Sequence, residues 1–190
     1  MSTQADLSNN KSFLAGFMGS SLQYWSGHVA NYTMVVMFVA LAFFPQRTLS
    51  WIQLLATALL GLMVWTFAEY VFHRWLYHKN STLIAKGHGM HHDAPEALLG
   101  MPWYVNVVVL SALVWALSFW IGLASSGLFV GSFWLGHVWY TWMHHAMHHF
   151  DWNVTWFRKL KNHHKIHHKI PDRNLGVVTI FWDIVFRTRN

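Results

Sequence analysis

The 190-residue chain has no cysteine, four prolines and few charges: Asp, Glu, Lys and Arg together make up 11% of it. Without cysteine there is no disulfide framework, no thiolate nucleophile and no zinc or iron–sulfur site built on sulfur. A metal, if bound, must be held by histidine and carboxylate. Scarce charge beside a 54% apolar fraction argues for a membrane protein rather than a soluble one. The sequence has no internal repeat of fixed period and no low-complexity linker. Its polar opening, MSTQADLSNN, does not read as a cleavable signal peptide. The net charge of +6 comes from basic residues that flank apolar stretches. Anionic lipid head groups, not nucleic acid, are the expected partner of that charge.

What the chain does have is thirteen Trp, fourteen Phe and fifteen His. Four apolar stretches stand out: residues 29–44, ending at Pro45; Trp51 to Phe72; Trp103 to Ala124; and, after an SSG turn, Gly127 to about Met143. A helix of about 22 residues rises about 33 Å, enough to cross a hydrocarbon core of about 30 Å. The length predicts a single domain, 1–190, with 1–25 as a loosely ordered or interfacial start. Four alternating spans put every histidine clump on one face of the membrane. Of the thirteen Lys and Arg, only Arg47 falls on the other side. Short loops rich in Lys and Arg stay cytoplasmic. The histidines and both termini are therefore expected on the cytoplasmic side. Residues 150–170 read as a surface helix that mixes Trp and Phe with basic residues, ended by IPDRN. Its charge suits an acidic electron carrier. Gly61 and Gly136 are candidate sites of close helix contact.

The histidines come in clumps: HRWLYH (73–78), HGMHH (88–92), HHAMHH (144–149) and NHHKIHH (162–168). Side chains three or four apart share a helix face. That spacing relates His88, His91 and His92, then His144 and His148, then His164, His167 and His168. His73 and His78 are five apart, which demands a helix end or a local widening between them. Adjacent rings such as His91 and His92 point apart and are expected to serve different ions. Packing alone has no use for so many polar rings beside an apolar core, whereas neutral imidazole is the commonest metal ligand. Ten rings suit two ions better than one. So many ligands exceed the need of a hydrolytic zinc site and fit redox iron, although zinc can occupy the same cage in purified protein. His28 and His137, in or near spans, either line a path or bond to a neighbouring helix. His145, His149 and His163 read as supporting or surface rings. Glu69, one turn before His73, is expected to bond a ligand imidazole or to pair with Arg74 or another basic residue. Asp93, Asp151 and Asp183 are further candidates to support the ligands.

The four clumps in this order resemble the fatty acid hydroxylase superfamily, also called the sterol desaturase family, over about residues 65–188. The matching segments are HRWLYH, HGMHHDAP, YTWMHHAMHH, LKNHHKIHH and the tail LGVVTIFWDIVFRT. The resemblance implies an all-α fold: a four-helix transmembrane bundle under a cytoplasmic histidine-rich helical cap that holds a dimetal site. It implies a membrane-bound, O2-dependent lipid hydroxylase with two iron ions. It carries the ligand role to His73, His78, His88, His91, His92, His144, His148, His164, His167 and His168, with no catalytic side chain beyond them. Thr141 departs from the pattern, standing where the family has Asp. The cytochrome b5-like domain fused to some relatives is not expected, so a separate donor, cytochrome b5-like or ferredoxin-like, must supply electrons. The same cage suits a lipid desaturase or a carotenoid or sterol hydroxylase. A non-enzymatic metal transporter or store is the rival from another class.

Overall fold

A computed structural model describes residues 16, 18–44, 49–78, 82–100 and 102–190. Among these the structure is helical, with no strand. Helix α1 spans Ser21–Ala40, α2 Trp51–Val71, α3 Leu83–Asp93, α4 Trp103–His149, α5 Thr155–Lys169 and α6 Phe181–Val185. A π-helical segment, Phe72–Tyr77, continues α2. The starts of α1, α2 and α3 follow local chemistry. Ser20, Ser50 and Thr82 each accept from the backbone N–H three residues on, and Gln53 reaches back to the Ser50 N–H to complete a capping box. Most of the expected N-terminal segment 1–25 lies outside the described residues, as do Pro45 and Arg47. Ser21 to Trp25 already belong to α1.

The third and fourth apolar stretches are joined within α4, whose backbone breaks at Gly122 (φ 75°, ψ 158°). The turn therefore comes before the expected SSG. Positive φ costs a side-chain-bearing residue but not glycine, and the Ser126 hydroxyl already donates to the Gly122 carbonyl at 2.7 Å inside the second arm. The two arms fold back on each other. Tyr24 is hydrogen-bonded to His145 at 2.8 Å, and a Cβ on nearby Gly27 would meet Trp103 at 3.9 Å. A straight helical run between Trp103 and His145 would hold them about 63 Å apart.

The second arm packs between α1 and α2. Against α1 it runs antiparallel: Gly127 abuts Phe38 and Leu41, Gly131 abuts Val39, and the Trp134 indole donates to Asn31 at 3.1 Å. Against α2, a Cβ on Gly61 would fall 2.6 Å from the Phe129 carbonyl, and one on Gly136 would fall 2.5 Å from the Trp65 ring. Both glycines are thus close-contact positions, as the sequence suggested. Met34, Phe38, Trp65, Leu110, Val114, Val130 and Trp134 form the core they enclose.

Two stretches, Trp51–Tyr77 and Trp103–His149, are long and apolar enough to cross a membrane. Their outer faces expose large apolar side chains, with Ile52 at 81%, Phe119 at 71% and Trp120 at 87%. Water would penalise such a surface and a hydrocarbon layer would not. The chain is a membrane protein.

Candidate metal centre

Beyond the core, α2, α3, α4 and α5 bring the ten predicted rings together in two groups of five. His73, His78, His88, His92 and His167 form the first; His91, His144, His148, His164 and His168 form the second. Within each group the ligand-type nitrogens all lie within 4.8 Å of one another. Of the helix end or local widening that the five-residue step from His73 to His78 called for, the π-helical segment supplies the widening. Residues four apart keep company (His88 with His92, His144 with His148, His164 with His168). The adjacent pairs His91–His92 and His167–His168 are divided between the groups.

These rings fit a cation. Neighbouring Nε2 atoms approach to 3.0–3.2 Å. Two ligands about 2.1 Å from one ion and at right angles to each other sit about 3.0 Å apart. His73 Nδ1 faces the Leu175 carbonyl at 2.5 Å, and His167 Nδ1 faces that of Arg173 at 2.9 Å. A carbonyl only accepts, so each Nδ1 carries the proton and each Nε2 presents a bare lone pair. His88 Nε2 alone lies 3.1 Å from the Nε2 atoms of His73, His78 and His92. One ring nitrogen cannot satisfy three such neighbours by hydrogen bonding. In the second group, His144 Nε2 is buried with no hydrogen-bond partner among the described residues. Convergent lone pairs of this kind can hold metal ions.

Burial, and then the charge of neighbouring rings, makes protonation unfavourable here. His78 is pushed down to about 4, by burial first and His92 next. Burial likewise holds His167 at about 3 and His168 at about 4. His88 and His164 lie far below the usual histidine value for the same reasons. Neutral imidazole is the form that ligates. Unfolded histidines take up protons near pH 6.5, while these wait until about 4 or 3. The unfolded state of the metal-free protein therefore binds more protons as pH falls below about 6.5, and stability is lost down to the folded values. Melting temperature measured in detergent should be flat above about pH 7 and drop steeply between about pH 6.5 and 4. A flat profile across that window would show the rings to be solvated.

The C-terminal tail supports the first group. Asp183, fully buried, accepts from the backbone N–H groups of Leu175 and Gly176 (both 2.8 Å), from the Thr188 hydroxyl (2.7 Å) and from His163 Nε2 (3.0 Å). Burial raises its pKa, but these bonds outweigh burial and leave the carboxyl below its usual value. Among the described residues, Glu69 neither bonds a ligand ring nor pairs with a cation. Its Oε1 accepts from the backbone of Val177 at 2.6 Å and Val178 at 3.3 Å. Arg74 instead donates to the Tyr70 hydroxyl at 2.9 Å. The sequence carries no signal for backbone N–H groups as the partners of Glu69, or for the carbonyls of Arg173 and Leu175 behind His167 and His73.

The remaining candidates lie outside the two groups. His28 packs among the rings of Tyr24, Trp25 and Trp142; His137 lies 4.1 Å from Trp134 and 5.0 Å from Trp65. His145 bonds Tyr24, and His149 stacks on it at 4.2 Å. Asp93 is exposed, and exposed Asp151 pairs with Lys161 at 2.5 Å. Thr141 bonds the Val138 carbonyl of its own helix at 2.9 Å. A cleft of about 600 Å³, lined by Glu96, Asp151, Lys161 and Lys165, reaches His148 and His164. An apolar groove of about 340 Å³ lies between α2 and the second arm, lined by Leu62, Trp65, Leu135, Trp139 and Val178.

Ten imidazoles in two groups that could each hold a metal ion mark a class of histidine-rich membrane proteins, and comparison with known proteins narrows this. Residues 58–188 match the fatty acid hydroxylase family model, and the chain belongs to that family. It is 31% identical over 146 residues to a dihydroceramide fatty acyl 2-hydroxylase of Arabidopsis thaliana, covering 72% of this chain and 61% of that protein. It is 34% identical over 150 residues to a ceramide very long chain fatty acid hydroxylase of Saccharomyces cerevisiae, covering 67% and 36%. With a fatty acid 2-hydroxylase of Rattus norvegicus the identity is 31% over 142 residues, covering 68% and 38%. A solved structure described as full-length scs7p, with only the hydroxylase domain visible, superposes with a TM-score of 0.70 at 27% identity, covering 90% of this chain and 70% of that one. The chain thus spans about three fifths, or less, of the lengths of these sequence relatives.

Proposed function

We propose that the chain is a multi-pass membrane di-iron oxygenase that hydroxylates a lipid acyl chain. The observation that carries this reading is the convergence of ten imidazoles in two groups of five. In it, each group holds one iron, with His73, His78, His88, His92 and His167 on one and His91, His144, His148, His164 and His168 on the other. Zinc can replace iron in purified protein. The irons would supply the activation of dioxygen, for which the chain has no side chain of its own. One C–H bond, one O2, two electrons and two protons give one alcohol and one water. The names of the fatty acyl 2-hydroxylase relatives favour carbon 2 of a free or ceramide-borne acyl chain as the target.

The protein's part is to place the lipid and exclude water. Helices α1 and α2 and the two arms of α4 form a four-helix transmembrane bundle. The remaining helices form a cytoplasmic cap, with both termini on that side and residues 1–190 folding as one unit. The apolar groove beside Trp65 suits an acyl chain entering from the bilayer. Trp65 lies 6.1 Å from Tyr140, which stacks 5.7 Å from His144, so the groove leads toward the second group. Electrons come from a separate cytochrome b5-like or ferredoxin-like donor. Exposed Arg158, Lys159, Lys165 and Lys169 on α5 offer it a basic surface. A transporter would carry its ligands midway along its spans, and these lie at the ends.

Expression in a host followed by mass spectrometry of its lipids tests the reading, with His148→Ala and His168→Ala as controls. Lipids heavier by one oxygen atom should accumulate only with the intact chain. Lipids that instead lose two hydrogen atoms would assign desaturation and overturn it.

A further inference from the structure

We infer that Asp183 is a positioning residue for one metal group and not the other: it clamps the 173–176 loop so that main-chain carbonyls hold His73 and His167. This rests on the metal-centre reading above. The inference starts from an asymmetry. In the first group, His73 Nδ1 and His167 Nδ1 each donate to a carbonyl of one short loop, those of Leu175 and Arg173. In the second group, His164 Nδ1 and His168 Nδ1 are buried with no partner among the described residues. Among the described residues, only rings of the first group bond the tail through their Nδ1 atoms. The second group meets it through His163, the neighbour of His164, whose ring bonds Asp183 and whose carbonyl accepts from Asn174 at 3.2 Å.

The loop cannot hold those carbonyls by itself. Arg173 to Val178 form no regular helix, and Asn174 sits at φ 54°, a conformation that most residues avoid. What fixes it is the Asp183 carboxylate. Oδ1 takes the Leu175 N–H, so the same residue is gripped at its N–H while its carbonyl grips His73. Oδ2 takes the Gly176 N–H, and a Cβ on Gly176 would fall 3.0 Å from that oxygen. Two further groups hold the carboxylate in place. One is His163 Nε2; the other is the Thr188 hydroxyl, which in turn accepts from Tyr70, itself bonded by Arg74. The backbone closes the same ring, with Asn174 N–H donating to the Thr188 carbonyl at 3.0 Å. A chain of bonds thus runs from Arg74 on the π-helical segment, through the tail, back to His73 on that segment. Partners behind a ligating imidazole set its tautomer and orientation, and losing them typically weakens metal binding about 10- to 100-fold.

The test is zinc binding to the full chain in detergent micelles, followed by chelator competition. The variants are Asp183→Asn, alone and combined with His167→Ala or His168→Ala. The intact chain should bind two ions. Asp183→Asn should weaken one of them about 10- to 100-fold and leave the other unchanged. With His168→Ala, which impairs the second group, adding Asp183→Asn should weaken what remains. With His167→Ala, which impairs the first, it should change nothing. Equal weakening in both backgrounds would mean that Asp183 acts through the fold as a whole, and no weakening in either would remove its role; each overturns the inference. Should Asp183→Asn fail to fold, Thr188→Val, which removes one bond to the same carboxylate, is read by the same criteria. An intact chain that binds no transition metal would instead sink the metal-centre reading itself.

Discussion

His88→Ala should reduce hydroxylated lipid to the background of a host lacking the protein, while the chain still accumulates in the membrane. His88 is the hub of the first group: its Nε2 lies 3.1 Å from three other ring nitrogens, more than any other ring approaches. Removing it takes one of five donors and opens the cage at its centre, on a short helix that also carries His91 and His92. Metal analysis of the purified variant should show at least one ion fewer than the intact chain. His149→Ala is the matched control. His149 is exposed, stacks on His145, and belongs to neither group. It should leave product formation near the intact level. Full activity in His88→Ala would show that the first group is not needed for the chemistry.

Gly61→Val should unfold the protein at a much lower temperature than the intact chain. A Cβ at residue 61 would sit 2.6 Å from the Phe129 carbonyl and 2.9 Å from the Phe133 amide nitrogen, both main-chain atoms of the second arm. Helix backbones cannot yield as side chains do, so α2 and α4 must separate. Small residues at such crossings are what allow backbones to meet in a bilayer. Overpacking typically costs about 1–3 kcal/mol, and a branched side chain against main chain should fall at the upper end. Gly136→Ala should also destabilise, because the added carbon would fall 2.7 Å from the Trp65 Cβ and 2.5 Å from its ring, the root of a buried side chain that cannot swing aside. Gly89→Ala, with nothing within 4 Å of the added carbon, should be neutral or slightly stabilising, as alanine favours the helix by about 1 kcal/mol. Thermal unfolding in detergent ranks the three. A Gly61 variant as stable as the Gly89 variant would show that the crossing is looser than described. Function should fall with Gly61 too, since α2 carries Glu69, and its π-helical continuation carries His73, to the site.

Much of this was legible in the sequence because its periods are physical. Helical spacing placed His88, His91 and His92 within reach of a common site, and the misfit between His73 and His78 called for either a helix end or a widened turn, of which the backbone adopts the second as a π-helical segment. The adjacent pair His91–His92 was read as serving two ions, and the two rings stand in different groups. Gly61 and Gly136 were visible as small residues in apolar stretches. What escaped is what side-chain pattern does not encode. The α4 turn falls at Gly122 rather than at SSG, because a single φ decides it and serine can continue a helix. Glu69 was expected to find a ring or a cation. It found Val177 and Val178 N–H groups instead, since a tail more than a hundred residues away returns to α2. Thr141 looked like a gap in the pattern, and its hydroxyl turns back to its own helix.

The division of neighbouring histidines has a mechanical consequence. In both α3 and α5, two rings on successive residues face opposite centres, and in each pair the ring centroids are 5.9 Å apart. The spacing between the centres is therefore gauged by covalent backbone, where successive Cα atoms stay about 3.8 Å apart, and by two rulers acting in parallel. Sliding or tilting of the long helices in a fluid bilayer can strain each cage, but it cannot readily draw the two cages apart.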